Sequence, residues 1–587
     1  MHGIIRDKDA ILFTEFIIFL RRRGIMIANA SIEIPEKSLY DVLKSTAEDH
    51  PNNTAYEYLG YKVSYKKFLD QVDDLSLRFR KMGIRREDRV IICLPNCPQA
   101  MVSFYALSRL GAISVMVHPL SSPNEIEHYI QDSGSKMAIT LGKFADNFPK
   151  IGSIDGFQTL IVTSPVDMMS KTRSTVARLL YKDARMPKGR LGFGMVRWKR
   201  MMKDDVRYVN KSIPHVSPDE PASILYTGGT TGVNKGAVHS SRSFNVTSMG
   251  MIELSGIYGT GTSMLAEMPM FHGFGLCTCV HLPVCIGLKV VLIPTFTLDS
   301  LCKTIVKGKI NFMAGVPTLY EKLVDNKYLK NADLSFLKGI FCGGDSMSIE
   351  SKERVDTFLA EHGCKVKVRI GYGCTECLTA TAITPKDEER PGSVGVPIPG
   401  MQYKITKMGT TEEVTDCEDG EICISGPALM SGYYNNLPET DKVLKVHEDG
   451  KIWLHTGDVG KIDNGFIYFT NRIKRIIITS GYNVFPSQIE EILSRHPLVD
   501  SSCVIGVPDI LRGSKVKAVI VLKKGVEKSE ETLASIHNYV KENTSAYSKP
   551  RDYKFVDSLP KTKLGKVDFK KLESSESQDD SQSSPRM

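Results

Sequence analysis

The sequence contains no hydrophobic run long enough to cross a membrane. The run Ile11–Leu20 near the N-terminus includes Glu15 and is followed by three arginines, and its length of about ten residues is half of what a spanning helix needs. A secretory signal would carry its positive charges before the apolar stretch. We therefore expect a cytoplasmic protein with an N-terminal extension at 1–37. The alternatives for this extension are a membrane-surface anchor and a chain that starts at Met26 instead of Met1.

A strong charge of one sign is also missing. The 587 residues include 76 Lys and Arg against 67 Asp and Glu, a net charge of +9. This excess is small for the length, and neither a recognition helix nor a basic surface with interleaved aromatic residues accompanies it, so we do not expect nucleic-acid binding. Hydrophobic residues make up 42% and charged residues 24% of the chain, which is typical of a folded protein. The length is too great for one core and predicts more than one domain.

A disulfide framework is absent as well. The 13 cysteines are odd in number and scattered, which favours reduced thiols. Cys374 and Cys377 form a CxxC pair, and Cys277, Cys279 and His281 alternate, but neither group has a second ligand pair at the spacing of a metal site. We expect these side chains to pack in the core.

Short β-branched runs alternate with helical stretches from about residue 89. The runs include RVIICLP at 89–95, ASILYT at 222–227 and KGIFCGG at 338–344. Buried strands that alternate with helices predict an α/β fold with parallel sheets covered on both faces.

A change of composition at 471–480 predicts a domain boundary. A helix at Pro486–Arg495, two strands and a helix near Glu530–Glu542 follow it, which is enough for a small α+β domain. We expect a large domain at 38–471, a small domain at 472–572, and a Ser/Asp/Gln-rich disordered tail at 573–587.

A basic stretch interrupts the pattern at 173–211. The ten lysines and arginines at 182–211 are interleaved with Trp198 and with Met195, Met201 and Met202. We expect a solvated surface insertion, and the alternative is contact with anionic lipid headgroups.

A glycine-rich loop, YTGGTTGVNKG at 226–236, directly follows the run ASIL. Its glycines allow a tight turn that presents N–H groups to phosphate oxygens, and its threonines and lysine add further donors. The candidate phosphate contacts are Thr227, Gly228, Gly229, Thr230, Thr231, Gly232 and Lys235. The GxxxxGK[ST] spacing of a P-loop is absent, which argues against a P-loop nucleotidase.

Four further motifs follow this loop: FHG at 271–273, GGD at 343–345, GYGCTE at 371–376 and TGD at 456–458. A fifth, PKTKLGK, lies at 560–566. Taken in this order, the motifs resemble those of AMP-forming acyl-CoA synthetases of the adenylate-forming superfamily, over about residues 38–570. The resemblance implies a large domain of layered α/β sheets with a β-barrel-like subdomain, and a small mobile C-terminal domain.

The resemblance assigns roles to individual residues. His272 orients the carboxylate, Thr375 contacts the α-phosphate, Glu376 holds Mg²⁺ and Lys566 is the catalytic lysine. The remaining nucleotide-binding positions are Gly344, Asp345, Tyr372, Gly373, Asp458 and Arg472. Lys474 is the hinge, and Gly481 and Tyr482 contact coenzyme A after the small domain has rotated.

The implied reaction converts a carboxylic acid and ATP to an acyl-AMP and pyrophosphate, and then transfers the acyl group to coenzyme A. The motif sequences YTGGTTG and FHGFG resemble those of the family branch that activates fatty acids. Four alternatives are a ligase that loads a carrier protein, a luciferase-like oxidase, a non-catalytic protein that binds acyl-adenylates and a membrane scaffold. The sequence makes no prediction of the oligomeric state.

Overall fold

The computed structural model describes residues 34–170, 194–212, 215–227, 234–257, 259–293, 297–415, 417–479, 482–509, 513–544, 548–562 and 566–582. Three predicted features lie outside these ranges: the run Ile11–Leu20, most of the basic stretch, and six of the predicted site residues. Those residues are Gly228, Gly229, Thr230, Thr231, Gly232 and Gly481.

The described strands and helices agree with the alternating pattern of the sequence. The strands are β1 (Thr54–Tyr58), β2 (Tyr61–Ser64), β3 (Arg89–Cys93), β4 (Ile113–Met116), β5 (Met137–Leu141), β6 (Thr159–Thr163), β7 (Met195–Arg197), β8 (Pro221–Thr227), β9 (Lys235–Ser240), β10 (Ser263–Ala266), β11 (Lys289–Leu292), β12 (Phe312–Gly315), β13 (Gly339–Cys342), β14 (Val368–Gly373), β15 (Ala380–Ile383), β16 (Val396–Pro397), β17 (Gln402–Thr406), β18 (Gly420–Ser425), β19 (Gly432–Tyr433), β20 (Leu444–Val446), β21 (Ile452–Asp463), β22 (Phe466–Arg472), β23 (Ile477–Thr479), β24 (Tyr482–Val484), β25 (Val499–Asp509), β26 (Gly513–Leu522) and β27 (Asp552–Val556). The helices are α1 (Leu39–Asp49), α2 (Tyr65–Lys81), α3 (Pro98–Leu110), α4 (Pro123–Ser133), α5 (Trp198–Met201), α6 (Ser241–Ser255), α7 (Leu282–Cys285), α8 (Leu298–Gly308), α9 (Pro317–Val324), α10 (Ile349–Glu361), α11 (Leu437–Val443), α12 (Pro486–Ser494), α13 (Glu530–Asn543) and α14 (Phe569–Gln582).

Two large sheets form the body of the molecule. The N-terminal sheet has eight strands in the order β19-β9-β8-β4-β3-β5-β6-β7, and the central sheet has nine in the order β16-β15-β14-β13-β12-β10-β11-β1-β2. Most neighbours run parallel, and strands such as β4 and β5 are buried along their whole length. A strand that is buried on both faces needs helices on both sides.

The largest hydrophobic core joins these two sheets. It takes side chains from strands of both and from the helices that lie between them, with Phe104 of α3 and Phe244 of α6 packed together, ring centroids 5.6 Å apart. Helix α3 is buried along nearly its full length, as expected for a helix enclosed between two layers. His281 is buried here, where it contacts the Tyr105 hydroxyl at 3.0 Å and Asn245 Oδ1 at 2.9 Å. With Cys277 and Cys279 also buried, the expected core packing of this group is confirmed.

A third sheet is antiparallel and has five strands. Its order is β17-β18-β21-β20, with β22 paired to β21. It stands where the resemblance implies the β-barrel-like subdomain, and its path is open, with β17 at one edge and β20 at the other. The small domain follows β22 and contains the hairpin β23–β24, the sheet β25-β26-β27 and helices α12 to α14. The α/β fold with a small α+β domain is thereby confirmed.

Two local predictions are wrong. In the described part of the basic stretch, Trp198 and Met201 are each 1% exposed and join the core, because β7 pairs with β6 and α5 follows it. The neighbouring Lys199, Arg200 and Lys203 face solvent. The predicted disordered tail is helical as far as Gln582. Glu576 explains this, because its buried carboxylate pairs with Lys517 at 2.8 Å and with Lys554 at 2.7 Å.

Candidate active site

The glycine-rich loop is anchored by a pair of strands in the N-terminal sheet. β8 ends at Thr227 and β9 begins at Lys235, and the Cα atoms of these two residues are partners in the antiparallel pair. The pairing therefore brings together the two residues that flank the loop. This is the geometry expected of a turn that presents backbone N–H groups to an anion.

A second predicted segment follows β13 at the edge of the central sheet. Gly344 has a φ of +81°, in the left-handed region that glycine adopts without steric cost. Asp345 is exposed, and its Oδ1 accepts a hydrogen bond from the Ser346 N–H at 3.0 Å. The chain therefore turns sharply at the end of the strand and leaves the Asp345 carboxylate at the mouth of the site.

The segment GYGCTE forms the end of β14 and a 3₁₀ turn at Thr375–Cys377. A Cβ atom on Gly373 would lie 1.9 Å from the carbonyl oxygen of Thr379, so only glycine fits where β14 and β15 pair. This close approach fixes the backbone that enters the turn. Thr375 and Glu376 are carried by the turn itself.

Two side chains from distant parts of the chain hold this turn. The Tyr433 hydroxyl donates a hydrogen bond to Glu376 Oε1 at 2.6 Å, and His239 Nε2 lies 2.8 Å from the Thr375 carbonyl oxygen. Burial lowers the pKa of His239 to about 4, because a charged imidazole is costly without water. His239 is therefore neutral near pH 7 and donates its Nε2 proton to Thr375.

Tyr372, Asp458 and Arg472 form one hydrogen-bonded group. The Tyr372 hydroxyl donates to Asp458 Oδ2 at 2.8 Å, and Arg472 Nε lies 3.2 Å from Asp458 Oδ1. Asp458 and Arg472 are Cα partners on β21 and β22, which explains why residues fourteen positions apart meet. Burial raises the pKa of Asp458, and the positive charge of Arg472 opposes that shift. A carboxylate held in this way accepts hydrogen bonds only, which suits a vicinal diol.

Lys235 lies beside the same turn. Its Nζ is 2.5 Å from Glu439 Oε2 on α11 and 4.8 Å from the centre of the Tyr433 ring. The hydrogen bond from Lys235 holds the pKa of Glu439 low, at about 2. The charged lysine is thereby positioned at the base of the glycine-rich loop.

Lys566 of the small domain reaches the same site. Burial lowers its pKa, the negative charges of Asp345 and Asp458 oppose this, and the positive charge of Arg472 adds to it. Burial, and then the charge of Lys566, lowers the pKa of His272 to about 4. The Phe274 N–H donates to His272 Nδ1 at 3.2 Å, so the neutral ring carries its proton on Nε2. Lys566 therefore lies near enough to His272, Asp345 and Asp458 for their charges to interact.

The predicted hinge lies in a 3₁₀ turn between β22 and β23. Lys474 is the middle residue of this turn, and burial and the nearby charge of Lys235 lower its pKa. Arg475 points into the small domain, where it pairs with Glu490 at 2.5 Å. Tyr482 begins β24, directly after this region.

The family model described as AMP-binding enzyme matches residues 43–434, about two thirds of the chain. The chain belongs to the AMP-binding enzyme family. The model of the AMP-binding enzyme C-terminal domain matches residues 488–566. The match to the first model ends within the segment that carries Tyr433, and the match to the second ends at Lys566.

Curated relatives of this AMP-binding enzyme cover nearly its full length. The long-chain-fatty-acid–CoA ligase of Bacillus subtilis (strain 168) is 31% identical over 544 residues, which cover 91% of this chain and 94% of that protein. The enzyme of the same name from Escherichia coli O6:H1 is 29% identical over 547 residues, 90% and 93% of the two chains. The structure of o-succinylbenzoate CoA synthetase (MenE) from Bacillus subtilis with its acyl-adenylate intermediate superposes with a TM-score of 0.73 at 23% identity, covering 92% of this chain and 98% of that one. The predicted membership of the adenylate-forming acyl-CoA ligases, and with it the prediction of an enzyme, is confirmed.

The structure brings most of the predicted site residues of this AMP-binding enzyme together. Those that lie around the same space are Thr227, Lys235, His272, Gly344, Asp345, Tyr372, Gly373, Thr375, Glu376, Asp458, Arg472 and Lys566. Their assigned roles stay predictions. Among the described helices, none is both long and apolar enough to span a membrane.

Three residues of the AMP-binding enzyme site were not singled out from the sequence. They are His239, Tyr433 and Glu439, which hold Thr375, Glu376 and Lys235. Each acts on a partner that lies 57 to 204 positions away, so no local spacing reveals the contact. The tyrosine and glutamate occur in the run GYYNNLPE at 432–439, which by itself predicts only a turn before a helix.

Proposed function

We propose that this enzyme activates a fatty acid with ATP, releases pyrophosphate, and transfers the acyl group to coenzyme A. The observation that carries the proposal is the position of Lys566, which lies near enough to His272, Asp345 and Asp458 for their charges to interact. The choice of a fatty acid as the substrate rests on the names of the relatives from Bacillus subtilis and Escherichia coli, which are long-chain-fatty-acid–CoA ligases.

In the first step, the carboxylate attacks the α-phosphorus of ATP in line and pyrophosphate leaves. Negative charge builds on the phosphate oxygens, and fixed donors that face this charge are usually the largest source of rate enhancement. Lys566 contacts both the carboxylate and the α-phosphate in this proposal. His272 donates its Nε2 proton to a carboxylate or adenylate oxygen, and Thr375 donates its hydroxyl to the α-phosphate.

The nucleotide is bound by the remaining groups of the site. Tyr372 stacks on the adenine beside Gly344 and Asp345, and Asp458 accepts hydrogen bonds from the ribose hydroxyls. Lys235, with the glycine-rich loop, binds the phosphates. The positive charge of Arg472 opposes the rise that burial causes in the pKa of Asp458, because a nearby positive charge favours the charged form.

Glu376 would hold the Mg²⁺ ion that accompanies ATP. The residue fits this task, because Tyr433 fixes one carboxylate oxygen from the side and Mg²⁺ prefers oxygen ligands. The ion would neutralise part of the negative charge of the phosphates. The residues of the chain orient the nucleotide toward the carboxylate.

In the second step, the small domain rotates about Lys474. The rotation withdraws Lys566 and brings Gly481 and Tyr482 to the site, where the coenzyme A thiolate attacks the acyl-AMP and AMP leaves. A hinge of this kind absorbs the change of backbone dihedrals without touching the reacting atoms. The ion pair of Arg475 with Glu490 lies on the small-domain side of the hinge, so it moves with that domain.

Pyrophosphate release measured with and without coenzyme A tests the proposal. The panel of acids is acetate, octanoate, palmitate and benzoate. We expect turnover that requires coenzyme A and is fastest with octanoate or palmitate. Acyl-AMP formation without thioester formation would indicate a carrier protein as the acceptor. ATP binding without pyrophosphate release for every acid would contradict the proposal and favour a protein that only binds adenylates.

A further inference from the structure

Two cysteines flank the two residues that face the phosphates. Cys374 precedes Thr375 and Cys377 follows Glu376, and their Sγ atoms lie 3.6 Å apart. A disulfide bond is about 2.05 Å long, so the sulfurs need to approach by roughly 1.5 Å. The 3₁₀ turn supports this approach, because the Cys377 N–H donates to the Cys374 carbonyl oxygen at 3.2 Å and the Cys374 N–H donates to Cys377 Sγ at 3.2 Å.

The backbone on both sides of the turn cannot follow such a movement. Gly373 is paired with Ala380 across β14 and β15 and is in close contact with the Thr379 backbone. Leu378 closes the turn with a φ of +70°, which for a leucine is a strained conformation that the surroundings must impose. The displacement is therefore confined to residues 374–377.

The contacts of the turn show what a displacement would disturb. Glu376 accepts the hydrogen bond of Tyr433 through its side chain and the Met430 N–H, at 2.8 Å, through its carbonyl oxygen. Thr375 accepts from His239 through its carbonyl oxygen. All three partners lie on other elements, so a contraction of the turn moves Thr375 and Glu376 relative to everything that positions them.

We infer that Cys374 and Cys377 are a thiol-modification site, at which oxidation to an intramolecular disulfide weakens the binding of ATP and stops its activation. The effect on ATP rests on the proposed roles of Thr375 and Glu376. Each thiol loses one hydrogen atom and one S–S bond forms. The oxidant is a hydroperoxide, whose O–O bond breaks and which is reduced to water and an alcohol, or to two waters in the case of hydrogen peroxide.

The accessibility of the two thiols determines which cysteine is oxidised first. Cys374 is half-buried and adjoins the nucleotide site, whereas Cys377 is fully buried. Cys374 therefore meets the oxidant first and becomes a sulfenic acid, and Cys377 displaces water from it to close the bond. A bound nucleotide covers this approach, so ATP slows the modification.

The test starts from the reduced full-length enzyme treated with hydrogen peroxide. We expect intact mass to fall by two hydrogen atoms, with both cysteines in one cross-linked peptide. The affinity for MgATP, measured by equilibrium dialysis, should fall roughly tenfold or more, because the displaced Thr375 and Glu376 lose contacts to charged groups and each such loss has a cost of this size. Dithiothreitol should restore both the mass and the affinity, and ATP added before the peroxide should slow the loss.

Cysteine variants show which thiols are responsible for the loss of MgATP affinity after peroxide. Cys374→Ser should keep its MgATP affinity after peroxide, and Cys417→Ser, which changes an exposed cysteine outside the site, should lose it as the wild type does. An unchanged mass, or an oxidised enzyme that binds MgATP as before, overturns the inference. Loss of affinity in Cys374→Ser overturns it as well. If the reduced enzyme turns over no acid, the proposed function fails while mass and MgATP affinity still decide the inference.

Discussion

The Tyr433 hydroxyl donates a 2.6 Å hydrogen bond to Oε1 of Glu376. The bond joins β19, at the edge of the N-terminal sheet, to the turn after β14 in the central sheet. The carboxylate that would face Mg²⁺ is thereby oriented by a residue of the other sheet. Lys235 lies over the ring of the same tyrosine, so Tyr433 positions both the proposed Mg²⁺ ligand and the lysine that is proposed to bind the phosphates.

Removing this hydroxyl should weaken the use of MgATP. In Tyr433→Phe the ring and its contact with Lys235 remain, whereas Glu376 loses a hydrogen bond to a charged group, worth about 1.5–3 kcal/mol. We expect KM for MgATP to rise roughly tenfold or more, with a higher Mg²⁺ requirement. Tyr434→Phe is the matched control, because it removes a neighbouring hydroxyl and should leave both values unchanged. Equal effects in the two variants would contradict the role of Tyr433.

Lys566→Ala should separate the two half-reactions. Loss of one group that stabilises transition-state charge has a cost on the order of a hundredfold or more, so acyl-AMP formation from acid and ATP should fall by at least that factor. Thioester formation from supplied acyl-AMP and coenzyme A should remain near normal, since Lys566 is withdrawn in that step. Lys561→Ala changes an exposed lysine of the same segment and should affect neither. Near-normal acyl-AMP formation in Lys566→Ala would show that the assignment is wrong.

Lys474→Pro should impair thioester formation and spare acyl-AMP formation, the reverse of the effect expected for Lys566→Ala. Proline fixes φ near −65° and restricts the backbone change that a hinge requires, so thioester formation should fall strongly while acyl-AMP formation is retained. Lys474→Ala keeps the backbone free and should preserve both half-reactions. If the alanine variant loses the second step as well, the side chain rather than the rotation is responsible.

Acid should destabilise the large domain through its buried histidines. Burial lowers the pKa of His239 to about 4 and of His281 to about 3, below the unfolded value of about 6.5. Both are neutral in the folded state, so their contribution is complete above pH 6.5 and is lost as the pH falls toward 4. At pH 5 the loss is roughly 2 kcal/mol for each histidine. Thermal melting between pH 8 and 5 measures this loss, and His281→Gln should melt with a shallower pH dependence. If His281→Gln melts with the same pH dependence as the wild type, the buried histidine is not the cause of the loss of stability in acid.

The strands and the motif residues could be predicted because their signals are local. RVIICLP and KGIFCGG are free of polar side chains after their first residue, as expected for a strand buried on both faces, and they form β3 and β13. Trp198 was misinterpreted because the lysines and arginines around it face solvent while its own ring faces the core. The residues that hold the site were not found for a different reason: His239 and Tyr433 act through contacts made only after both sheets have formed.

The ion pairs of Glu576 determine how short a functional version of this chain can be. Lys517 is 7% exposed and has two partners, Glu576 and Asp552. Ending the chain at residue 572 removes Glu576 and leaves a nearly buried ammonium group with a single carboxylate, a change that is far more costly than losing a surface ion pair. Expression vectors should therefore extend past α14, and an affinity tag belongs after this helix and not in place of it.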